Sequence, residues 1–190
     1  MIGQLPKELN VNGKKLAIRS DFRVVLLIFQ AYGDPDLSDD EKATVMMECL
    51  YENPEDIKSD NYQTAAEQAI WFLDGGGTSG KDVSQANTKK IIDWEQDEQL
   101  IFSAVNKVAG YETRSTEYLH WWTFLGFFNE IGEGLFSTVI NIRSKKNKGK
   151  KLEKHEQEFY KENKSLIDLN RKLSTEEQEE RERINQWLNS

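Results

Sequence analysis

Cysteine occurs once among the 190 residues, as Cys49, and histidine only twice, as His120 and His155. A single thiol excludes an intrachain disulfide. Its neighbours Val45, Met46, Met47 and Leu50 mark it as a buried structural thiol, a usage that fits a reducing cytoplasm. A zinc site is not expected: His155-Glu156-Gln157-Glu158-Phe159 carries Phe159 where a zinc-protease helix needs its second histidine. No run reaches the roughly 18–20 apolar residues of a membrane-spanning helix. Asn129, Glu130 and Glu133 interrupt the best candidate. The opening MIGQLPKELNVNG lacks both the positive and the apolar stretch of a signal peptide. A soluble, non-exported protein without membrane contact is the expectation. Hydrophobic residues make up 37% of the chain and charged residues 31%, so any core must draw on concentrated segments.

One such segment is TEYLHWWTFLGFFNEIGEGLFSTVINIR, residues 116–143. Tyr118, Leu119, Trp121, Trp122, Phe124, Leu125, Phe127, Phe128 and Ile131 leave no polar helix face, which marks a helix for a core or a contact surface. Trp121 and Trp122 point about 100° apart and cannot share one neighbour. Each large aromatic buries roughly 150–250 Å², an upper bound of about 4–6 kcal/mol apiece.

Around that centre the pattern is mostly helical. Asn12-Gly13 joins LPKELNV to KKLAI, and that dipeptide supplies the positive φ angles of a type I′ hairpin turn. Ser20 is placed to cap a helix over 22–32, closed by Gly33. Ser38 and Glu41 form a capping box for a helix reaching about Tyr51, and a third helix covers 60–73. A fourth is expected over 89–109, ended by Gly110. Thr116 is placed to cap the aromatic helix, which Gly132 and Gly134 break before it resumes over 135–142. A mostly charged helix over 152–164 and a capping box at Ser174 and Glu177 complete the chain. The fold class is therefore mostly α, a helical domain with a small N-terminal β-hairpin and a charged C-terminal helical tail. The expected division is 1–74 (hairpin plus acidic helices), 75–88 (flexible linker), 89–144 (aromatic helical core) and 145–190 (charged tail, folding in part on a partner).

Motifs for chemistry fall short. GGGTSGKD at 75–82 has phosphate-loop spacing, but Asp82 stands where Ser or Thr must hold the metal, and the loop follows a helix instead of a strand. Asp93, Glu95, Asp97 and Glu98 suit a helix start as well as an acid–base pair. His120 has no nucleophile paired with it by any local pattern. No catalytic residues, metal ligands or cofactors are assigned.

The net charge of −8 hides an asymmetry. Ten acids face Lys42 and Lys58 between Asp34 and Asp60, whereas seven basic residues face Glu153 alone between Arg143 and Lys154. That basic stretch reads as a solvated hinge or as a dock for an acidic helix or a second copy. Nucleic acid is not the expected partner, because no aromatic residue is interleaved between Ile142 and Lys154.

Asp93-Trp94-Glu95, Leu100-Ile101-Phe102, Gly110 and Leu119-His120-Trp121-Trp122-Thr123-Phe124 together resemble the bacteriophage gp-fifteen family. Phe136-Ser137-Thr138, Ile142-Arg143-Ser144-Lys145-Lys146, Leu152-Glu153-Lys154, Glu158-Phe159-Tyr160 and Ile167-Asp168-Leu169 extend the resemblance over nearly the whole chain. It implies a protein of the tail-gene cluster of phages and prophages, present in the host bacterial cytoplasm. The role implied is a tail assembly chaperone for the tape-measure protein, with other tail proteins as further partners and with homo-oligomerisation. The family supplies no catalytic residues to carry over. The alternative is a structural tail or connector subunit retained in the virion, and a small enzyme is the third reading.

A chaperone for a long helical client needs an apolar groove and charged arms. Trp121, Trp122, Phe124, Phe127 and Phe128 are the candidates for the groove, and Arg143, Lys145, Lys146, Lys150 and Lys151 for the charged contact. Whether the aromatic helix is core or groove stays open at this level. Trp121→Ala is expected to unfold the domain, and charge reversal at Lys145, Lys146, Lys150 and Lys151 to weaken client binding.

Overall fold

The hairpin forms where the turn chemistry puts it. In the computed structural model, which describes residues 3–77 and 90–188, β1 (Glu8–Val11) pairs antiparallel with β2 (Lys14–Ala17), Glu8 opposite Ala17. Asn12 and Gly13 turn the chain at φ 50° and 88°. Leu9, Val11 and Leu16 face inward, as alternation along a half-buried strand requires.

Helices follow. Among the described residues they are α1 (Phe22–Tyr32), α2 (Asp39–Leu50), α3 (Tyr62–Leu73), α4 (Glu98–Ala109), α5 (Trp121–Asn129) and α6 (Leu135–Asn147). The chain closes with α7 (Lys154–Glu162), α8 (Lys164–Ile167) and α9 (Thr175–Leu188). The protein is mostly α with one hairpin, as its pattern indicates. The Ser38–Glu41 capping box forms, as does that of Ser174 and Glu177. Gly110 ends α4 in the left-handed conformation.

Three helix starts differ from expectation, each because a side chain claims the backbone. Asp21, not Ser20, caps α1 by accepting from the Arg23 N–H, while the Ser20 hydroxyl bonds the Tyr118 phenol at 2.8 Å. α4 begins at Glu98 and not at Lys89. The Asp93 carboxylate accepts from the N–H groups of Glu95 and Gln96, and Asp97 accepts from the Asp93 N–H, which holds 93–97 in a turn. α5 begins at Trp121 with His120 as its cap, and Thr116 instead closes the short turn Thr113–Ser115. α6 also runs past Ile142 to Asn147, so Lys145 and Lys146 are helical. Residues 78–89 lie outside the described set, together with most of the expected linker and of GGGTSGKD.

One core joins the front of the chain to the aromatic segment. It runs from Leu9 and Val11 through Phe22, Val25, Ile28, Leu50, Phe72, Ile101 and Val105 to Trp121, Phe124 and Phe136. The Phe22 N–H donates to the Leu119 carbonyl at 3.0 Å and the Trp121 N–H to the Ser20 carbonyl at 2.8 Å. A strand-like bridge thereby pins the start of α5 to the start of α1. A second, smaller cluster of Val139, Ile142 and Ile167 lies under α7 and α8.

Candidate functional site

The five aromatic candidates divide by depth. Trp121 is 1% exposed and Phe124 is fully enclosed. The Trp121 Nε1–H donates to the Leu73 carbonyl at 2.9 Å, and its ring packs against Phe29 and Phe124 at 5.7 and 5.8 Å between centroids. Phe124 lies parallel on Phe22 at 4.7 Å. These two residues are internal fasteners between α5, α1 and α3, and their candidacy as a client surface is corrected by that burial.

Trp122, Phe127 and Phe128 are half-buried and point to separate places. Trp122 donates from Nε1 to the Phe72 carbonyl at 2.9 Å and packs edge-on against Trp71 at 5.2 Å. Gly75 and Gly76, at φ 72° and 83°, turn the chain beneath Trp122 and Leu125, and a Cβ on Gly76 would lie 2.7 Å from the Trp122 ring. Phe127 meets Tyr111, and Phe128 meets Trp94 and Phe136. The five aromatics do not line one groove.

His120 spends both ring nitrogens on the backbone. Nδ1 accepts from the Trp122 N–H at 3.0 Å, and Nε2, 2.9 Å from the Pro6 carbonyl, is then the protonated nitrogen that donates to it. Burial holds its pKa below the ordinary imidazole value, the Pro6 bond opposing only in part. Three of the four carboxylates of 93–98 are equally committed. Asp93 bonds Lys90 at 2.8 Å, and Asp97 bonds Arg143 at 2.6 and 2.9 Å. Glu95 takes an ion pair from Lys172.

The basic stretch separates into an internal and an external half. Arg143, 4% exposed, uses all five N–H donors. Nε serves the Ile167 carbonyl, Nη1 serves Ile91 and Asp97, and Nη2 serves Asp97 and Leu166. Lys145 bonds Glu156 at 2.6 Å, which lifts the lysine pKa and lowers that of the carboxylate. Burial alone would depress Lys146, but its bonds to Asp168 and Tyr160 outweigh that and leave it raised. A cleft of about 960 Å³ opens beside this clasp, and its cations Lys90, Arg143, Lys146, Arg171 and Lys172 each hold an acidic partner. Arg143, Lys145 and Lys146 thus tie α6 to α4, α7 and the segment after α8, and Arg143 is withdrawn as a partner contact. Lys150 and Lys151 remain at the exposed α6–α7 turn.

An open, largely apolar concavity lies elsewhere. Between α1 and the start of α4 a groove of about 420 Å³ is lined by Leu26, Leu27, Trp94, Ile101 and Phe102. Leu27 is 56% exposed there. Arg23 and Arg114 lie over the Phe22 and Phe102 rings at 4.6 and 4.9 Å, and Glu95 and Glu98 stand at the groove's edge. The signal for it was present in α1, whose run VVLLIF is apolar on more sides than one core contact consumes.

A family model described as Bacteriophage Gp15 protein matches residues 1–169. The chain belongs to that family. It is therefore a bacteriophage protein, and the match spans every element from the hairpin through α8 while α9 lies beyond it. No curated protein and no solved structure matches the chain. Among the described residues of this Gp15-family protein, no helix is long and apolar enough to cross a membrane. No group of three or more His, Cys, Asp or Glu is placed among them to hold a metal ion.

Proposed function

We propose that the protein is a tail assembly chaperone, present in the host cytoplasm, which binds the tape-measure protein during tail morphogenesis and does no chemistry. The observation that carries the reading is the α1–α4 groove, where exposed Leu27 stands beside half-buried Leu26 and Trp94, with charged residues of both signs around them. An amphipathic helix docks by laying its apolar face into such a groove. Of the charged residues around it, Arg23, Arg114 and Glu95 already pair with Asp21, Glu112 and Lys172, and Glu98 is left to meet a cation flanking the client's apolar face. The use of His120, Asp93, Glu95 and Asp97 in structural bonds favours a binding role over catalysis.

The test is co-expression with the tape-measure protein of the same genome. Co-elution of a soluble client is expected, with loss of co-elution in Leu27→Asp at unchanged helicity. A client that precipitates beside this protein, together with many copies of the protein in purified particles, would instead mark a structural tail subunit.

A further inference from the structure

A second hollow lies on the other side of α4. It holds about 390 Å³ between that helix and the loop that leads from α5 into α6. Glu98, Ile101 and Phe102 face the α1–α4 groove, whereas Leu100, Ala104 and Val108 share the opposite side of the helix and line this hollow. Half-buried Ile131 and buried Phe136 continue the lining. Val108 and Leu135 stand in it 36% and 49% exposed. The loop wall is open, since a Cβ added at Gly132 or Gly134 would meet nothing within 4 Å.

Its rim carries charge without a partner. Glu130 and Glu133 are exposed, and among the described residues neither carboxylate has a hydrogen bond or an ion pair. Lys107, also on the lining, gives its ammonium to the Glu133 carbonyl at 3.4 Å. The backbone of the loop is largely spent. The Gly134 N–H donates to the Ser137 hydroxyl, the Gly134 carbonyl accepts from Ser137 and Thr138, and the N–H groups of Glu130 and Ile131 bond back into α5. An extended peptide would therefore find no row of free donors and acceptors to pair with. A helix satisfies its backbone within itself and needs none.

We infer that this hollow takes the apolar anchors of a basic amphipathic helix on another protein. Aliphatic side chains one turn apart enter between Val108 and Leu135, and lysines or arginines on the flank of that helix meet Glu130 and Glu133. An acidic helix would set carboxylate against carboxylate. The volume is near the lower end of the roughly 300–1,000 Å³ that binding pockets span, so it suits the anchors of one or two turns. Because α4 separates this hollow from the α1–α4 groove, the contact stands or falls apart from the client contact proposed there.

The probe is a synthetic helical peptide with leucines at i, i+3, i+4 and i+7 and lysines elsewhere, set against a twin with glutamates in place of the lysines. Each is titrated calorimetrically into the full chain carrying Leu27→Asp, which blocks the α1–α4 groove. The lysine peptide should bind and the glutamate peptide should not. Glu130→Lys/Glu133→Lys should weaken binding about tenfold or more. Glu48→Lys/Glu55→Lys, an equal change of charge at exposed acids away from the hollow, should leave it unchanged. Leu135→Asp should also weaken it. Leu135 is the first residue of α6, where a carboxylate suits the helix dipole, so wild-type helicity should be kept. Four results would each overturn the inference: no binding of the lysine peptide once Leu27→Asp is present, equal binding of both peptides, an equal loss in Glu48→Lys/Glu55→Lys, or self-association of the chain that Leu135→Asp abolishes, which would make the occupant a second copy.

Discussion

Asp97 and Arg143, 46 positions apart, form a two-pronged ion pair at 2.6 and 2.9 Å with almost no solvent exposure. It ties the entrance of α4 to the middle of α6. Asp97 also caps the turn through the Asp93 N–H, and Arg143 holds the carbonyls of Ile91, Leu166 and Ile167. Three segments of chain, 91–97, α6 and α8, meet at one guanidinium.

Removing one member strands the other. Arg143→Ala should lower the unfolding free energy by about 3–5 kcal/mol in urea titration, because it leaves a buried carboxylate and three carbonyls unmatched. Arg143→Lys should recover little, since one ammonium cannot reproduce the planar fork. Asp97→Leu combined with Arg143→Met should cost less than the two single changes added together. Strict additivity would show that the pair is not coupled.

Trp121→Ala should destabilise the protein by about 3–5 kcal/mol. The indole fills the junction of α1, α3 and α5, and its N–H satisfies the Leu73 carbonyl. Thermal unfolding by circular dichroism reads this directly. A variant that melts like wild type would remove Trp121 from the core.

Two glycines separate backbone strain from crowding. Gly110→Ala places a Cβ at φ 79° with nothing within 4 Å, so it should cost about 1–2 kcal/mol of conformational strain. Gly76→Ala adds a contact at 2.7 Å with the Trp122 ring and should cost clearly more. It should also change tryptophan fluorescence, which Gly110→Ala should leave alone.

Acid should act through His120 before it reaches the carboxylates. Burial lowers its pKa in the folded state below the ordinary 6.5. The unfolded chain therefore takes up the proton first, and stability present above about pH 6.5 is lost as pH falls from there toward the folded value. Glu156 and Asp168, also lowered, add their losses only below the ordinary carboxylate values of 4.5 and 3.8. His120→Asn should flatten the upper part of the profile in urea titrations between pH 7 and 5, and leave the carboxylate part unchanged.

Local chemistry was legible from the sequence and long-range pairing was not. Asn12-Gly13 announced its hairpin, Ser38 with Glu41 its helix start, and Gly110 its helix end, because each acts within a few residues. Density alone marked Trp121 and Phe124 as apolar anchors, yet it could not choose core over surface. The start of α4 was missed because Asp93 and Asp97 bond their own backbone in a turn over 93–97, and Asp97 is held there by Arg143, far along the chain. For the same reason seven neighbouring basic residues looked alike, although Lys145 and Lys146 bond acids 11 and 22 positions away. The α1–α4 groove was passed over because Leu27 looks like its buried neighbours Val25 and Ile28 until the helix is placed.

The guanidinium of Arg143 also sets a clock on synthesis. Its Nε acceptor, the Ile167 carbonyl, lies 24 positions further along. At about 5–20 residues per second, that atom is made roughly 1–5 s after Arg143 itself. The socket of Arg143 therefore cannot be complete until the chain through α8 has been made. A chain ending before Leu166 would keep Arg143 and Asp97 but lack the two α8 carbonyls that complete the guanidinium's set of acceptors.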